Sequence, residues 1–434
     1  MYRLLLILVI LGSDSVILPP VMAVCPYDVS TCTCSGSQLL CTNLESIPPL
    51  VSDNSDGNIT ELTFSVSNLD HISSASLPAN LQKLILNTVN INLISPNAFN
   101  SSATTLKSFS MIRYRYPELL PFAWINYPEL PEALRNVESL TELRLSYVNI
   151  TNWNLDVVEH VKKTLVDVVF SRVGFGFWPE WLTNFTLLRS LDVSRNQIAD
   201  IPVDAFRNVE NLNKLSLGSN KLANETNVNA ALRPLIDTLE ILDISLNLLP
   251  AIPKVVGGMA KLSKLDISEN YIEEITSDRI PPQLKILDAS YNAYLHTLND
   301  NSFPMSSSLE VLNLSYSELR TISDLAFRGL QHLQELHLDH NGLTKVPLAL
   351  TKLNNLNLLD LNGIWWQCPC PRDASLDKWY APLNNSLNLS GQCKGGNSIE
   401  LKYYLSNPCS GYNRHGFSSF LYIIAAIAMG AFLL

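Results

Sequence analysis

The chain is 434 residues long, 47% hydrophobic, only 16% charged, and carries a net charge of −10. That acidic balance argues against a nucleic-acid binder, whose contact face must be basic. All eight cysteines lie outside the stretch between Cys41 and Cys368, which favours disulfide-bonded ends over a central metal or redox site.

Met1-Tyr2-Arg3 leads into the apolar run Leu4 to Leu11, and Val21-Met22-Ala23 follows. One positive charge, a short apolar core and a small exit residue predict a secretory signal peptide over residues 1–23. The Gly12-Ser13-Asp14-Ser15 stretch leaves an earlier cut open. Cys25, Cys32, Cys34 and Cys41 cluster within residues 24–58. In a secreted chain such a cluster predicts a small stapled cap, and four cysteines allow three pairings.

From residue 59 to 355 a unit of the form L-x-x-L-x-L-x-x-N-x-L returns with a period of roughly 24 residues, the signature of a leucine-rich repeat. It is clearest at Leu188-Leu191-Val193-Asn196-Ile198 and at Leu262-Leu265-Ile267-Asn270-Ile272. Thirteen units begin near Ile59, Leu81, Leu106, Leu140, Leu165, Leu188, Leu212, Leu239, Leu262, Leu284, Leu309, Leu333 and Leu356. The alternating L-x-L predicts a strand with one inward face. One unit cannot bury that face alone, so stacking grows a parallel sheet, one strand per repeat. The expected fold class is an α/β solenoid, a horseshoe with a concave parallel sheet and a cap at each end.

The turn leaving each strand would strand backbone polar groups, and an Asn there can satisfy them. Asn196, Asn220, Asn247, Asn270, Asn292 and Asn341 hold that position. Repeats one to five hold Ser67, Val89, Tyr114, Val148 and Val173, so the amino-terminal third is expected to be less regular and more mobile. Phe99, Phe206 and Phe327 share one offset and are expected to stack as a core spine.

Residues flanking the buried leucines face the concave side. On that face or its edge the register puts Arg113, Arg115, Arg144, Tyr147, Arg172 and Arg195 in repeats three to six. Asp243, Asp266, Glu269, Asp288, Glu318, Glu335, Asp339 and Asp360 follow in repeats eight to thirteen. The face should run from positive to negative along the array. Simple solvation accounts for the aspartates. Arg with Tyr is the composition of interface hot spots, which makes the arginine half the predicted ligand site.

Repeat three carries roughly ten extra residues, and insertions in solenoids map to loops on one face, often the binding face. The insertion holds Tyr114, Tyr116, Pro117, Phe122, Trp124 and Tyr127, and Trp124 joins the predicted site. The bland alternative is that these aromatics fold back over irregular repeats. Asn313 with Ser315 forms a sequon at an outward strand position, so a glycan there would wall off repeats ten to twelve. His337, Asp339 and His340 form a small cluster, read as a solvated strand face, with a metal or pH-sensing role as the alternative.

Cys368, Cys370, Cys393 and Cys409 close the array within residues 356–410 and predict a second stapled cap. The Cys368-Pro369-Cys370 step resembles a metal knuckle, but a secreted chain oxidises such thiols. From Phe417 to Leu434 the chain is apolar apart from Ser418 and Ser419, with no Lys or Arg after it. Ser410-Gly411 followed by a short polar spacer and that tail predicts a removed lipid-anchor signal over 411–434, with attachment at Ser410. A single carboxyl-terminal membrane helix and a secreted form are the alternatives. Eight sequons, at Asn58, Asn100, Asn149, Asn184, Asn224, Asn313, Asn384 and Asn388, agree with secretion. No catalytic constellation, phosphate loop or cofactor motif is present in the sequence, so no enzyme, cofactor or metal centre is assigned.

The spacing Cys25-x6-Cys32-x-Cys34-x6-Cys41, and Trp366-x-Cys368-x-Cys370 with Trp379, Cys393 and Cys409 behind it, resembles the animal extracellular leucine-rich repeat family with cysteine-rich caps. The resemblance spans Cys25 to Cys409. It implies the bridges Cys25–Cys34, Cys32–Cys41, Cys368–Cys393 and Cys370–Cys409. With a lipid anchor the layout is similar to Nogo receptors, chaoptin and connectin. It implies a protein on the extracellular face of the plasma membrane that binds an extracellular or cell-surface protein, in adhesion or recognition, with a transmembrane co-receptor as a second partner. A secreted non-catalytic carrier subunit is the alternative function.

Overall fold

In a computed structural model the chain is described over residues 25–54, 58–113, 129–150, 153–394 and 399–407. The signal segment, the insertion with Arg115 and Trp124, Cys409, Ser410 and the apolar tail lie outside the described residues.

Alternation in each unit gives a strand whose apolar side chains need a neighbour on both sides, and the sheet supplies them in chain order. The antiparallel hairpin β1 (Cys32–Ser35) and β2 (Gln38–Thr42) starts it. Parallel strands follow: β3 (Glu61–Ile72), β4 (Lys83–Ile94), β5 (Ser108–Ile112), β6 (Glu142–Ser146) and β7 (Asp167–Ser171). Then come three-residue strands: β8 (Ser190–Asp192), β9 (Lys214–Ser216), β10 (Ile241–Asp243), β11 (Lys264–Asp266) and β12 (Ile286–Asp288). Val311–Asn313, Glu335–His337 and Leu358–Asp360 continue the order, and Asn388–Leu389 of the rear cap completes a sheet of sixteen strands. Two strands belong to the front cap and one to the rear, which leaves one for each of the thirteen repeats. Register is uniform: Leu242, Leu265, Leu287, Leu312, Leu336 and Leu359 align across the rear strands and are buried.

The strand exits explain the short strands. Asn247 accepts from Leu222 N–H at 3.0 Å in the preceding repeat. Its amide donates to Leu217 O at 3.0 Å and Ile244 O at 3.1 Å. Asn196, Asn220, Asn270, Asn292 and Asn341 repeat the pattern. Ser317 fills the same position in repeat eleven, donating to Ala289 O at 3.1 Å.

One expectation is refined and one needs correction. In repeats one and two the ladder Asn is missing, but the strands are longer. β3 and β4 are twelve residues each and pair from Glu61 opposite Lys83 to Ile72 opposite Ile94, so continued strand pairing does what the Asn side chains do later. Phe99, Phe206 and Phe327 are buried but do not stack on one another. They meet Phe109, Trp178 and Phe303 respectively, at 5.2, 5.3 and 6.2 Å between ring centres. A larger aromatic cluster, Trp153, Phe170, Phe175, Trp181 and Phe185, packs behind β7. Its members come from different offsets, so no single period marks them.

Both ends are covered. Bridges Cys25–Cys34 and Cys32–Cys41 staple the front hairpin, and Tyr27 lies buried against Phe64 at 6.1 Å. At the rear, the helix Ala374–Leu383 buries Leu376, Trp379, Tyr380 and Leu383. Trp379 donates its ring N–H to Leu353 O at 2.7 Å, locking cap to array. Cys368 is bridged to Cys393, and Cys370 is also disulfide-bonded.

Candidate binding face

Columns of side chains cross the sheet face. The middle column holds Ser110, Arg144, Val169, Asp192, Ser216, Asp243, Asp266, Asp288, Asn313, His337 and Asp360, each opposite the next. The rear carboxylates are tied in. Asp266 accepts from Ser268 N–H at 3.0 Å and its hydroxyl at 2.6 Å. Asp243 with Ser245 and Asp288 with Ser290 repeat those distances. Burial raises the Asp266 carboxyl above its ordinary range, the charges of Asp288 and Asp243 raise it further, and the Ser268 bonds oppose both. Asp192, Lys214, Asp243, Lys264 and Asp266 line a shallow depression in this face.

A further column sits at the strand exits, in the residue just before the ladder position. Tyr147, Arg172, Arg195, Ser219, Leu246, Glu269, Tyr291, Tyr316 and His340 all have left-handed backbone there, with φ between 51° and 63°. That conformation is uncommon for residues with a side chain. Here it turns each side chain to the edge of the face, so neighbours meet face to face. The Arg172 guanidinium lies 5.0 Å from the centre of the Tyr147 ring. Tyr291 stacks on Tyr316 at 4.5 Å, and Tyr316 on His340 at 4.2 Å, both within 7° of parallel. The sequence reading missed this stack, although a fixed offset before the ladder residue marks all three.

The predicted ligand residues separate into groups. Tyr147, Arg172 and Arg195 share the exit column. Arg195 is exposed and has no side-chain partner among the described residues. Arg144 stands in the middle column, tied to Glu142 at 2.5 Å, which offsets its charge. Arg113 follows β5 and donates to Asn90 Oδ1 at 2.6 Å. Arg115 and Trp124 lie outside the described residues. Of the acidic set, Glu318 stands beyond the ladder position, paired with Arg320 at 3.5 Å. Among the sequons, Asn58, Asn100, Asn224 and Asn388 are exposed, and Asn149, Asn313 and Asn384 are half-buried. Among the described residues no helix is long and apolar enough to cross a membrane.

Comparison with known proteins agrees with this geometry. The Leucine rich repeat family model matches residues 186–224, 282–343 and 307–363. Keratocan of Danio rerio is 28% identical over 301 residues, covering 64% of this chain and 82% of that one. Fibromodulin of Oryctolagus cuniculus is 34% identical over 131 residues, covering 30% of this chain and 86% of that sequence. A leucine-rich repeat serine/threonine-protein kinase of Mus musculus is 27% identical over 51% of this chain, but the match spans only 12% of the kinase. Among solved structures, the TLR13–ssRNA13 complex aligns with a TM-score of 0.59 at 20% identity, covering 78% of this chain and 54% of that one. An internalin of Listeria monocytogenes aligns at 0.56 and 19% identity, covering 80% and 91%. Thirteen stacked strands, a buried Asn ladder and these matches carry one conclusion: the chain belongs to the leucine-rich repeat family.

Proposed function

We propose that this is a cell-surface protein that binds a protein partner through the amino-terminal half of its concave face, in adhesion or recognition. The observation that carries the reading is the Arg172–Tyr147 pair at 5.0 Å, with exposed Arg195 next in the same column. A guanidinium held over a phenol ring is pre-ordered and keeps its donors for a partner's carboxylates. Arg and Tyr are also the residues that dominate interface energetics. The disulfide-stapled caps fit an oxidising compartment. A lipid at Ser410 would hold the protein on the outer leaflet, and signalling would then need a transmembrane co-receptor.

Phosphatidylinositol-specific phospholipase treatment of expressing cells tests the anchor: release into the medium is expected, and retention would overturn it. The released protein, immobilised and offered to a panel of purified cell-surface ectodomains, tests the site. Arg172→Ala with Arg195→Ala is expected to weaken capture by about 2 kcal/mol or more, while Asp266→Ala with Asp288→Ala leaves it unchanged. Loss that follows the aspartates and spares the arginines would move the site to the other half.

A further inference from the structure

The middle column changes chemistry at repeat twelve. In repeats eight to eleven each mid-strand acceptor, Asp243, Asp266, Asp288 or Asn313, takes the N–H and the hydroxyl of a serine two residues on. Repeat twelve replaces that pair with His337 and Asp339. The hydroxyl is gone, and a carboxylate stands where it was. Repeat thirteen sets Asp360 directly opposite His337. One ligand atom from each of His337, Asp339 and Asp360 lies within 4.8 Å of the other two, and all three residues are half-buried. The His337 ring makes no hydrogen bond among the described residues.

The surroundings hold this set in place. Asp339 Oδ2 is bonded to His340 Nδ1 at 2.9 Å. Asp360 Oδ1 accepts from Asn362 N–H at 3.0 Å and the Ser390 hydroxyl at 2.5 Å. His340 is itself fixed, stacked on Tyr316 at 4.2 Å. Its ring also lies against Gly363, where φ is +65° and an added Cβ would fall 2.4 Å from ring carbon Cδ2. Only glycine lets the ring sit there. The two carboxylates are thus oriented by outer hydrogen bonds, the support that metal ligands need, and the ring nitrogens of His337 are uncommitted.

We propose that His337, Asp339 and Asp360 form a binding site for a divalent transition-metal ion of the zinc class on the concave face. An imidazole nitrogen with two carboxylate oxygens suits Zn2+, whereas Ca2+ takes oxygen ligands throughout. A neutral imidazole and two carboxylates match the charge of the ion. Three protein ligands leave a fourth position open toward the concave side, for water or for a carboxylate of a partner.

Calorimetric titration of the purified full-length chain, prepared without a polyhistidine tag, with zinc chloride at neutral pH tests the site. One saturable site is expected. His337→Ala should weaken it at least about tenfold, the scale of losing support at a metal site. Asp360→Asn, which retains an oxygen for Asn362 and Ser390, should weaken it as well. His332→Ala removes an exposed histidine and should change nothing. Cobalt loading should give a visible absorption band that His337→Ala abolishes while circular dichroism stays unchanged. Absence of saturable zinc binding, wild-type affinity in His337→Ala, or calcium binding as tight as zinc would overturn the proposal.

Discussion

The front and rear of this array share one period but solve the same problem differently. A strand that stops leaves backbone groups behind it. At the front, β3 and β4 do not stop at the ladder position; they run on to Ile72 and Ile94, and the backbone pairs with itself. At the rear, strands of three residues end at once, and a buried Asn takes over. The ladder residue therefore permits a short strand; it does not set the register. The surfaces differ in parallel. The front exit column carries Tyr147, Arg172 and Arg195, and the rear face carries Asp243, Asp266 and Asp288, each held by a serine.

The largest test of this contrast lies at the ends. The front cap joins the array by five paired positions between β2 and β3, but the rear cap joins it by two, between Leu358–Leu359 and Asn388–Leu389. With fewer backbone bonds, the rear should depend more on its bridges. Loss of a native disulfide costs about 2–5 kcal/mol. Cys370→Ser should reach the upper part of that range and leave most of the protein in the endoplasmic reticulum. Cys25→Ser should be milder. Surface levels and urea midpoints of the two variants decide it, and equal losses would break the contrast.

The next test compares ladder positions. Asn247→Ala leaves the buried Leu222 N–H without its side-chain partner, an unsatisfied group costing about 1–3 kcal/mol, and takes one of two donors from each of the carbonyls Leu217 O and Ile244 O, which keep Asn220 and Asn270. About 3 kcal/mol in total is expected. Ser67→Ala removes a hydroxyl that accepts from Leu44 N–H at 3.1 Å, in a strand that stays paired with β4 through Ser67 opposite Val89. About 1 kcal/mol is expected there. Chemical unfolding measures both, and a front position as sensitive as the rear one would show that strand extension does not substitute for the ladder.

Much of this was legible in the sequence. The period, thirteen strands and inward leucines follow from alternation alone, because a strand has only two faces. The long strands of repeats one and two were not legible, because backbone pairing leaves no residue-type signature. The exit column was half seen. Tyr147, Arg172 and Arg195 were singled out by composition, but Tyr291, Tyr316 and His340 were not read as a stack, since stacking depends on left-handed backbone that no motif spells. Asp360 was separated from His337 and Asp339 by a whole repeat, and only the parallel register brings them together.

The smallest expected effect sharpens what the rear carboxylates are for. Asp266 is held above its ordinary range chiefly by burial, with Asp288 and Asp243 adding repulsion. A carboxyl raised in the folded state binds its proton more tightly there than in the unfolded chain. Stability then falls as pH rises through the window above the ordinary carboxylate value, and stays lower at neutral pH. In protein made without N-glycosylation, because the change completes a sequon with Ser268, Asp266→Asn removes that charge and should keep the local bonds. Asn313 shows how: it accepts from Ser315 N–H at 3.1 Å and its hydroxyl at 2.8 Å, and donates to Asp288 at 3.1 Å. The variant should be more stable than wild type at neutral pH, and the gain should shrink as the solution is acidified and the wild-type carboxyl takes up its proton. Urea unfolding at the two pH values reads both. A destabilised variant at neutral pH, or a gain that grows in acid, would mean that the charge serves the fold. A gain confined to neutral pH would mean that the rear face carries its carboxylates at the expense of stability, as a surface kept for a cation or a partner.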